Sequence, residues 1–251
     1  MNEKLNKYRN FLKDKVRLTI DFTKTDQSLG IAVPPIEKPY GNNEKTISLP
    51  PIENFKNINA TRLVSAIENR KSHRKFLPRS LSLEEISYLL WATQGIRKKV
   101  RNVVLRTVPS AGNRHAIETY LLISDVIGLE PGIYRFLPVE HQLLFEFAED
   151  NLSEKIANAT LGQYFIGTAP VVFVWTAVPY RMEWRYGNAA HKVIAIDAGH
   201  VCQNLYLACE AIKAGTCAVA AYHQELMDKL IGVDGEDEFT IYLAPVGKVK
   251  I

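Results

Sequence analysis

Thiols are scarce in this chain: Cys202, Cys209 and Cys217 are the three cysteines among 251 residues. An odd number without paired spacing gives no disulfide framework, and the step from Cys202 to Cys209 along a helix would separate the side chains by ~10 Å, beyond bonding reach. They read as small buried hydrophobes. No apolar run is long enough for a membrane span. The uncharged stretch from Ile156 to Tyr180 is interrupted by Asn158, Gly162, Gln163, Gly167 and Pro170, whereas a spanning helix needs ~20 predominantly apolar residues. The opening MNEKLNKYRNFLKDK is too charged for a signal peptide, so a cytoplasmic protein is expected. A net charge of +4 falls short of the clustered basicity of nucleic-acid binders, and no nucleic-acid or membrane partner is expected. Neither GxxxxGK[ST] nor GxGxxG after a strand is present, which removes support for a nucleoside triphosphate or a Rossmann dinucleotide. No GxSxG elbow is present either. The six histidines lack helix-ligand spacing, and none pairs with a nearby Cys or Asp in a zinc-type arrangement, so no metal is expected.

At 47% hydrophobic, the chain can build one large core. Residues 1–58 begin with a short polar helix candidate and continue through VPPIEKPYGN and SLPPIENF. Paired prolines there block helices and central strands, so this segment is expected to be an extended arm lying across the main domain, residues 59–251. In the domain, Leu63, Val64 and Ile67 share one helical face of residues 61–69. Ser82 to Glu85 match a capping box, backed by the apolar stripe Ile86, Leu89 and Leu90. ETYLLIS (118–124) reads as a buried strand, IYRF (133–136) with QLLFEF (142–147) as a hairpin, and VVFVW as another buried strand. A helix is expected near 152–159. The longest helix carries Ile194, Ala198, Val201, Leu205, Ala208 and Ile212 at alternating steps of four and three, broadened by Cys202, Tyr206 and Cys209. It is therefore expected to be buried on most sides or shared between subunits. A helix over Gln224 to Ile231, stopped by Gly232, and the strand FTIYLAPVG complete the chain. The hairpin and the missing βαβ regularity point to an α+β fold.

Two short segments carry chemistry. RKSHRKF (70–76), in the loop between two helices, holds Arg70, Lys71, Arg74 and Lys75 within six positions. Such a run is ordinarily a solvated face, but Arg70, Ser72 and Arg74 alternate. In an extended loop they present two guanidinium forks and a hydroxyl on one side, suited to an anion with several acceptor oxygens. Phe76 would anchor the loop. In TVPSAGNRHAIE (107–118), Pro109 fixes the chain, Ser110 offers a hydroxyl, and Ala111 and Gly112 expose backbone to a planar ligand; a plain turn before a strand is the alternative. His115 reads as a hydrogen-bonded loop residue, and Trp91, Trp175 and Trp184 as core or interface aromatics.

In order and spacing, RxSxRxF, PSAGN, AGHVCQNLYLACEAIKAGTC and YLAPVGK resemble the flavin-dependent nitroreductase superfamily, and within it the SagB-type dehydrogenase branch, from about residue 25 to the C-terminus. The resemblance implies an α+β sandwich with a central mixed, mostly antiparallel sheet flanked by helices. It also implies an intertwined homodimer with FMN in pockets at the interface. Arg70 and Ser72 would hold the phosphate-ribityl end or pyrimidine edge, with Lys71 a further cofactor-binding candidate, and Arg74 would lie near N1 and the C2 carbonyl, where it stabilises the reduced ring. Pro109, Ser110, Ala111, Gly112 and Asn113 would complete each pocket in trans. Ala220 and Ala221 would bring backbone N–H to N5, and Lys248 with Lys250 would serve the phosphate. The branch carries a Lys-Tyr pair before the long helix, where the lysine works as a base. Here the match is Arg185-Tyr186, and arginine stays protonated, a poor base. Tyr186 could donate a proton, stack on substrate or pack in the core. The activity implied is two-electron, ping-pong transfer from NAD(P)H to a small organic acceptor such as a nitroaromatic or quinone. The other activities open are SagB-type azoline dehydrogenation and an FMN-binding scaffold role in a peptide-modifying complex.

Overall fold

The computed structural model describes residues 3–41, 43–100 and 103–250. In chain order its strands are β1 (Thr46–Ser48), β2 (Ile96–Val100), β3 (Val103–Arg106), β4 (Ile117–Ile123), β5 (Gly132–Leu137), β6 (Gln142–Phe147), β7 (Val171–Ala177), β8 (Ala214–Thr216) and β9 (Phe239–Lys248). Its α-helices are α1 (Glu3–Leu12), α2 (Leu63–Asn69), α3 (Leu83–Gln94), α4 (Leu152–Ala159), α5 (Tyr164–Gly167), α6 (Tyr180–Tyr186), α7 (Ala190–Ala211) and α8 (Gln224–Ile231). Seven strands form one sheet in the order β1-β6-β5-β4-β7-β9-β8, with every neighbouring pair antiparallel. Among the described residues, parallel pairing is confined to single bridges, Ser72 to Thr216 and Leu81 to Val126.

Both faces of the sheet are covered, which is why its central strands read as unbroken apolar runs. Along β7, Val171, Phe173, Trp175 and Ala177 join the core formed with α3 and α7, while Val172 and Val174 face the core formed with α4 and α8. Each valine or phenylalanine so removed from water contributes roughly 1.5–3 kcal/mol. Helix α3 starts where Ser82 Oγ accepts from Glu85 N at 3.2 Å while the Glu85 carboxylate accepts from Ser82 N at 2.9 Å, the reciprocal cap its sequence predicts. Helix α7 is buried along Ile194, Ala198, Val201, Leu205 and Ala208, and Cys202, Cys209 and Cys217 are free and buried.

The N-terminal segment is not extended throughout. It contains α1, and β1 pairs with β6 at the sheet edge. Between them the chain is tied down over α6: Gln27 N donates to Trp184 O at 2.9 Å and Trp184 Nε1 to Ile31 O at 3.0 Å. Further on, Lys38 N donates to Glu118, Arg106 to Ile36 O and Arg135 to Lys38 O. The buried carboxylate of Glu118 pairs with Arg181, and Lys38 pairs with Glu238. The α2 stripe stays outside: Leu63, Val64 and Ile67 are 64%, 69% and 57% exposed. Beside it runs a groove of about 730 Å³ lined by Phe55, Tyr88, Trp91 and Leu207. No helix among the described residues is long and apolar enough to cross a membrane. No group of three or more His, Cys, Asp or Glu among them is placed to hold a metal.

Candidate active site

The basic loop leaves α2 as extended chain and is stitched to the sheet edge. Ser72 bridges Thr216 of β8, His73 N donates to Thr216 O at 2.8 Å, and Leu77 N donates to Lys248 O at 2.8 Å. Phe76 seats the far end: a β-carbon on Gly247 would come within 3.0 Å of its side chain. Extended backbone sends alternate residues to opposite sides, and the contacts follow that rule. Ser72 Oγ lies 2.9 Å from Tyr206 Oη, the Arg70 guanidinium 5.2 Å from the Tyr206 ring, and the exposed Arg74 guanidinium 5.9 Å from the Phe165 ring. Lys71 and His73 instead line a cleft of about 230 Å³ with Asn69, Glu210, Lys213 and Lys250. Burial pushes the Glu210 carboxyl up against the opposing pull of Lys71 and Arg70.

Tyr206 is the hub that sequence reading missed. Ala218 N donates to its hydroxyl at 2.8 Å, so one side chain of α7 joins the arginine loop to the CAVAAY segment. That segment is held at Val219, which exchanges hydrogen bonds with Leu243 of β9, and at Ala221, whose carbonyl accepts from Gln163 Nε2 at 2.8 Å. Ala220 and Ala221 are left exposed at the lip. The available signal was a tyrosine on a buried helix, because a buried phenol seeks a partner. Thr216 Oγ1, next to the loop, is buried and has no partner among the described residues. Lys248 does not stand free as a phosphate ligand: its ammonium pairs with Glu85 and donates to Ile212 O at 2.6 Å. Lys250 and Lys71 do share one cleft, and Lys213, which no motif marked, joins them.

The Pro109–Asn113 turn is built differently. Gly112, Asn113 and His115 have φ of 57°, 57° and 49°, the left-handed region that glycine enters freely and asparagine tolerates. Asn113 Nδ2 donates to Val104 O at 2.8 Å, its Oδ1 lies 2.9 Å from His115 Nε2, and His115 N donates to Ser110 Oγ at 2.9 Å. Burial, aided by Arg106, Arg114 and Arg181, pushes the His115 imidazole down to about 3, so it is a neutral part of the turn. Asp197 of α7, a second residue missed in the sequence, accepts from Ala111 N at 3.3 Å and from the Ser110 side chain. Burial raises its carboxyl above the ordinary range despite those bonds.

The bare backbone at Gly112, expected to receive a planar ligand, is met by this chain's own side chains. A β-carbon there would fall 2.5 Å from Tyr186 Oη and 2.9 Å from Arg185 Nε. Arg185 and Tyr186, at the end of α6, therefore belong with the turn; the Arg185 guanidinium lies 5.5 Å from the Tyr186 ring. Both halves of the candidate site hang on α7, one at Asp197 and one at Tyr206. Nine helical residues correspond to ~13.5 Å and two and a half turns. Within one chain the halves thus project from opposite sides of the helix.

Comparison with known proteins agrees with this frame. The Nitroreductase family model matches residues 67–248. MJ1384 of Methanocaldococcus jannaschii, provisionally named a nitroreductase, is 31% identical over 202 residues, 80% of this chain and 96% of that protein. The trifolitoxin-processing protein TfxB of Rhizobium leguminosarum is 28% identical over 167 residues, 63% of this chain and 45% of that protein. Among solved structures, a provisionally assigned nitroreductase from Ralstonia eutropha superposes with a TM-score of 0.68 at 27% identity, covering 84% of this chain and 93% of that one. A chain of the Escherichia coli microcin synthetase McbBCD complex with truncated pro-MccB17 shares the fold at a TM-score of 0.61 and 18% identity, covering 84% and 80%. With its antiparallel sheet, its covering helices and a family match across nearly the whole domain, the chain belongs to the nitroreductase family, a family of flavoprotein oxidoreductases.

Proposed function

We propose that the chain is an FMN-dependent oxidoreductase working as a homodimer, in which NAD(P)H and a small organic acceptor use one pocket in turn. The observation that carries this reading is the junction at Tyr206, which holds the Arg70-Ser72-Arg74 face and the Ala218–Ala221 segment together. The donors present fit a flavin mononucleotide. Guanidinium forks suit the phosphate and the electron-rich ring edge, and the unpartnered Thr216 hydroxyl adds a polar group to the same wall. Arg70 and Ser72 would hold the phosphate-ribityl end and Arg74 the pyrimidine edge, and Lys250 would add charge toward the phosphate, while Lys71 faces the loop's other side. Exposed Ala220 and Ala221 leave room over one ring face. Bound there, FMN supplies the two-electron relay between donor and acceptor. Arg74 would favour the charged, reduced state of that edge, while Pro109 to Asn113, with Tyr186 against Gly112, would roof the pocket from a second copy.

Two features support a pocket shared between copies. The halves of the site face opposite sides of α7, and the exposed Leu63, Val64 and Ile67 beside the groove at Trp91 offer an apolar surface of the kind subunit interfaces cover. The purified protein should be yellow, lose its flavin absorbance anaerobically with NADH or NADPH, and regain it with a nitroaromatic or quinone in ping-pong kinetics. A colourless protein that takes up no FMN would end the proposal.

A second reading, a subunit of a peptide-modifying complex, draws on the likeness to TfxB and to the microcin synthetase chain. Azoline dehydrogenation by the Lys-Tyr route is disfavoured here because Arg185 holds the lysine's place and cannot serve as its base. Co-purification with a partner, without turnover by the isolated protein, would favour this reading.

A further inference from the structure

The roofing turn carries two cations that the cofactor site leaves unused. Arg114 Nε donates to Gly112 O at 3.2 Å, and its guanidinium lies 5.2 Å from the Trp184 ring. Arg185 packs against Gly112 and the Tyr186 ring. Among the described residues neither guanidinium has a carboxylate within ion-pair distance, while acids on adjoining segments are committed elsewhere. Asp14 pairs with Arg17 at 2.7 Å, Glu183 with His191 at 2.7 Å, and Asp197 receives the turn's own donors. Burial first, and Arg185 next, lower the Arg114 pKa, so the two charges act on each other. Half-buried like charges held together without a counter-ion cost free energy, and a ligand carboxylate would offset that cost through charge-assisted bonds that guanidinium forks match in two places.

We propose that Arg114 and Arg185 form an acceptor-selecting subsite for an aromatic or quinonoid compound bearing a carboxylate, its ring lying toward Tyr186 and Gly112. The acceptor role rests on the oxidoreductase reading above; the anion binding does not. The test is calorimetric titration of the protein as purified with 4-nitrobenzoate and with its uncharged methyl ester, followed by kcat/KM for both. The carboxylate should bind about tenfold more tightly than the ester at low ionic strength, and the gap should narrow as salt screens it. Arg114→Gln and Arg185→Gln should each remove most of that preference, and Arg114→Lys should keep part of it because it retains charge without the fork. Circular dichroism would confirm that each variant is folded, and Arg114→Gln alone suffices if Arg185→Gln is not. Equal affinity for acid and ester, or a preference that survives Arg114→Gln, would overturn the proposal. A carboxylate preference in a protein that neither NADH nor NADPH reduces would support the anion site and refute the redox reading. A yellow, NADPH-oxidising protein blind to the carboxylate would do the reverse.

Discussion

The Arg70–Arg74 loop and the Pro109–Asn113 turn lean on the same helix but are made of different materials. The loop is stitched by backbone hydrogen bonds to Thr216 and Lys248, so its direction needs little from particular side chains, and its arginines remain available to a ligand. The turn is held by side chains: Asp197, Ser110 and Asn113 tie down its backbone, and Gly112 admits Tyr186 and Arg185. A scaffold of the first kind tolerates changes at its ligand-facing positions. One of the second kind loses its shape when a single side chain changes.

That contrast can be broken by mutation. The largest effect should come from Arg70→Ala with Arg74→Ala. Two charge-assisted contacts of roughly 2 kcal/mol each predict FMN binding weakened on the order of 10³-fold, with urea stability changed by no more than about 0.5 kcal/mol. Arg74→Ala alone should lower the flavin reduction potential by roughly 30–60 mV, the equivalent of about 1.4–2.8 kcal/mol for two electrons. Unchanged retention and potential would remove these arginines from the site. Gly112→Val should behave oppositely, costing about 2–4 kcal/mol of stability through positive φ and overlap with Tyr186; a variant melting like the parent would show that the turn is not set by this contact. The smallest difference separates two lysines. Lys250→Ala should weaken FMN binding about tenfold, whereas Lys248→Ala, already neutralised by Glu85, should change it less than about threefold. The reverse ranking would mean that the Glu85 pair opens when FMN binds.

Much of the fold was legible because it rests on local rules. The capping box at Ser82, the four-three stripe of α7, the glycine stop at Gly232 and the apolar runs of β4 and β7 each show within a dozen residues. The alternation of Arg70, Ser72 and Arg74 was legible for the same reason. Tyr206 and Asp197 were not: Ser72 meets Tyr206 across 134 residues and Ala111 meets Asp197 across 86, and no local pattern marks either partner. The short β1 and the β2–β3 hairpin escaped too. IRKKV in β2 has no buried face, its burial being mostly exposed, so it shows no apolar alternation.

By itself the amino-acid order determined which groups could meet an anion and on which side of an extended loop they would stand, because period two is a property of the backbone. Tertiary structure decided which cations stay free. It paired Lys248 with Glu85, left Arg114 and Arg185 without a carboxylate among the described residues, and set the two halves of the candidate site on opposite sides of α7. Charge compensation and helix phase depend on neighbours distant in the chain, and no local stretch encodes them.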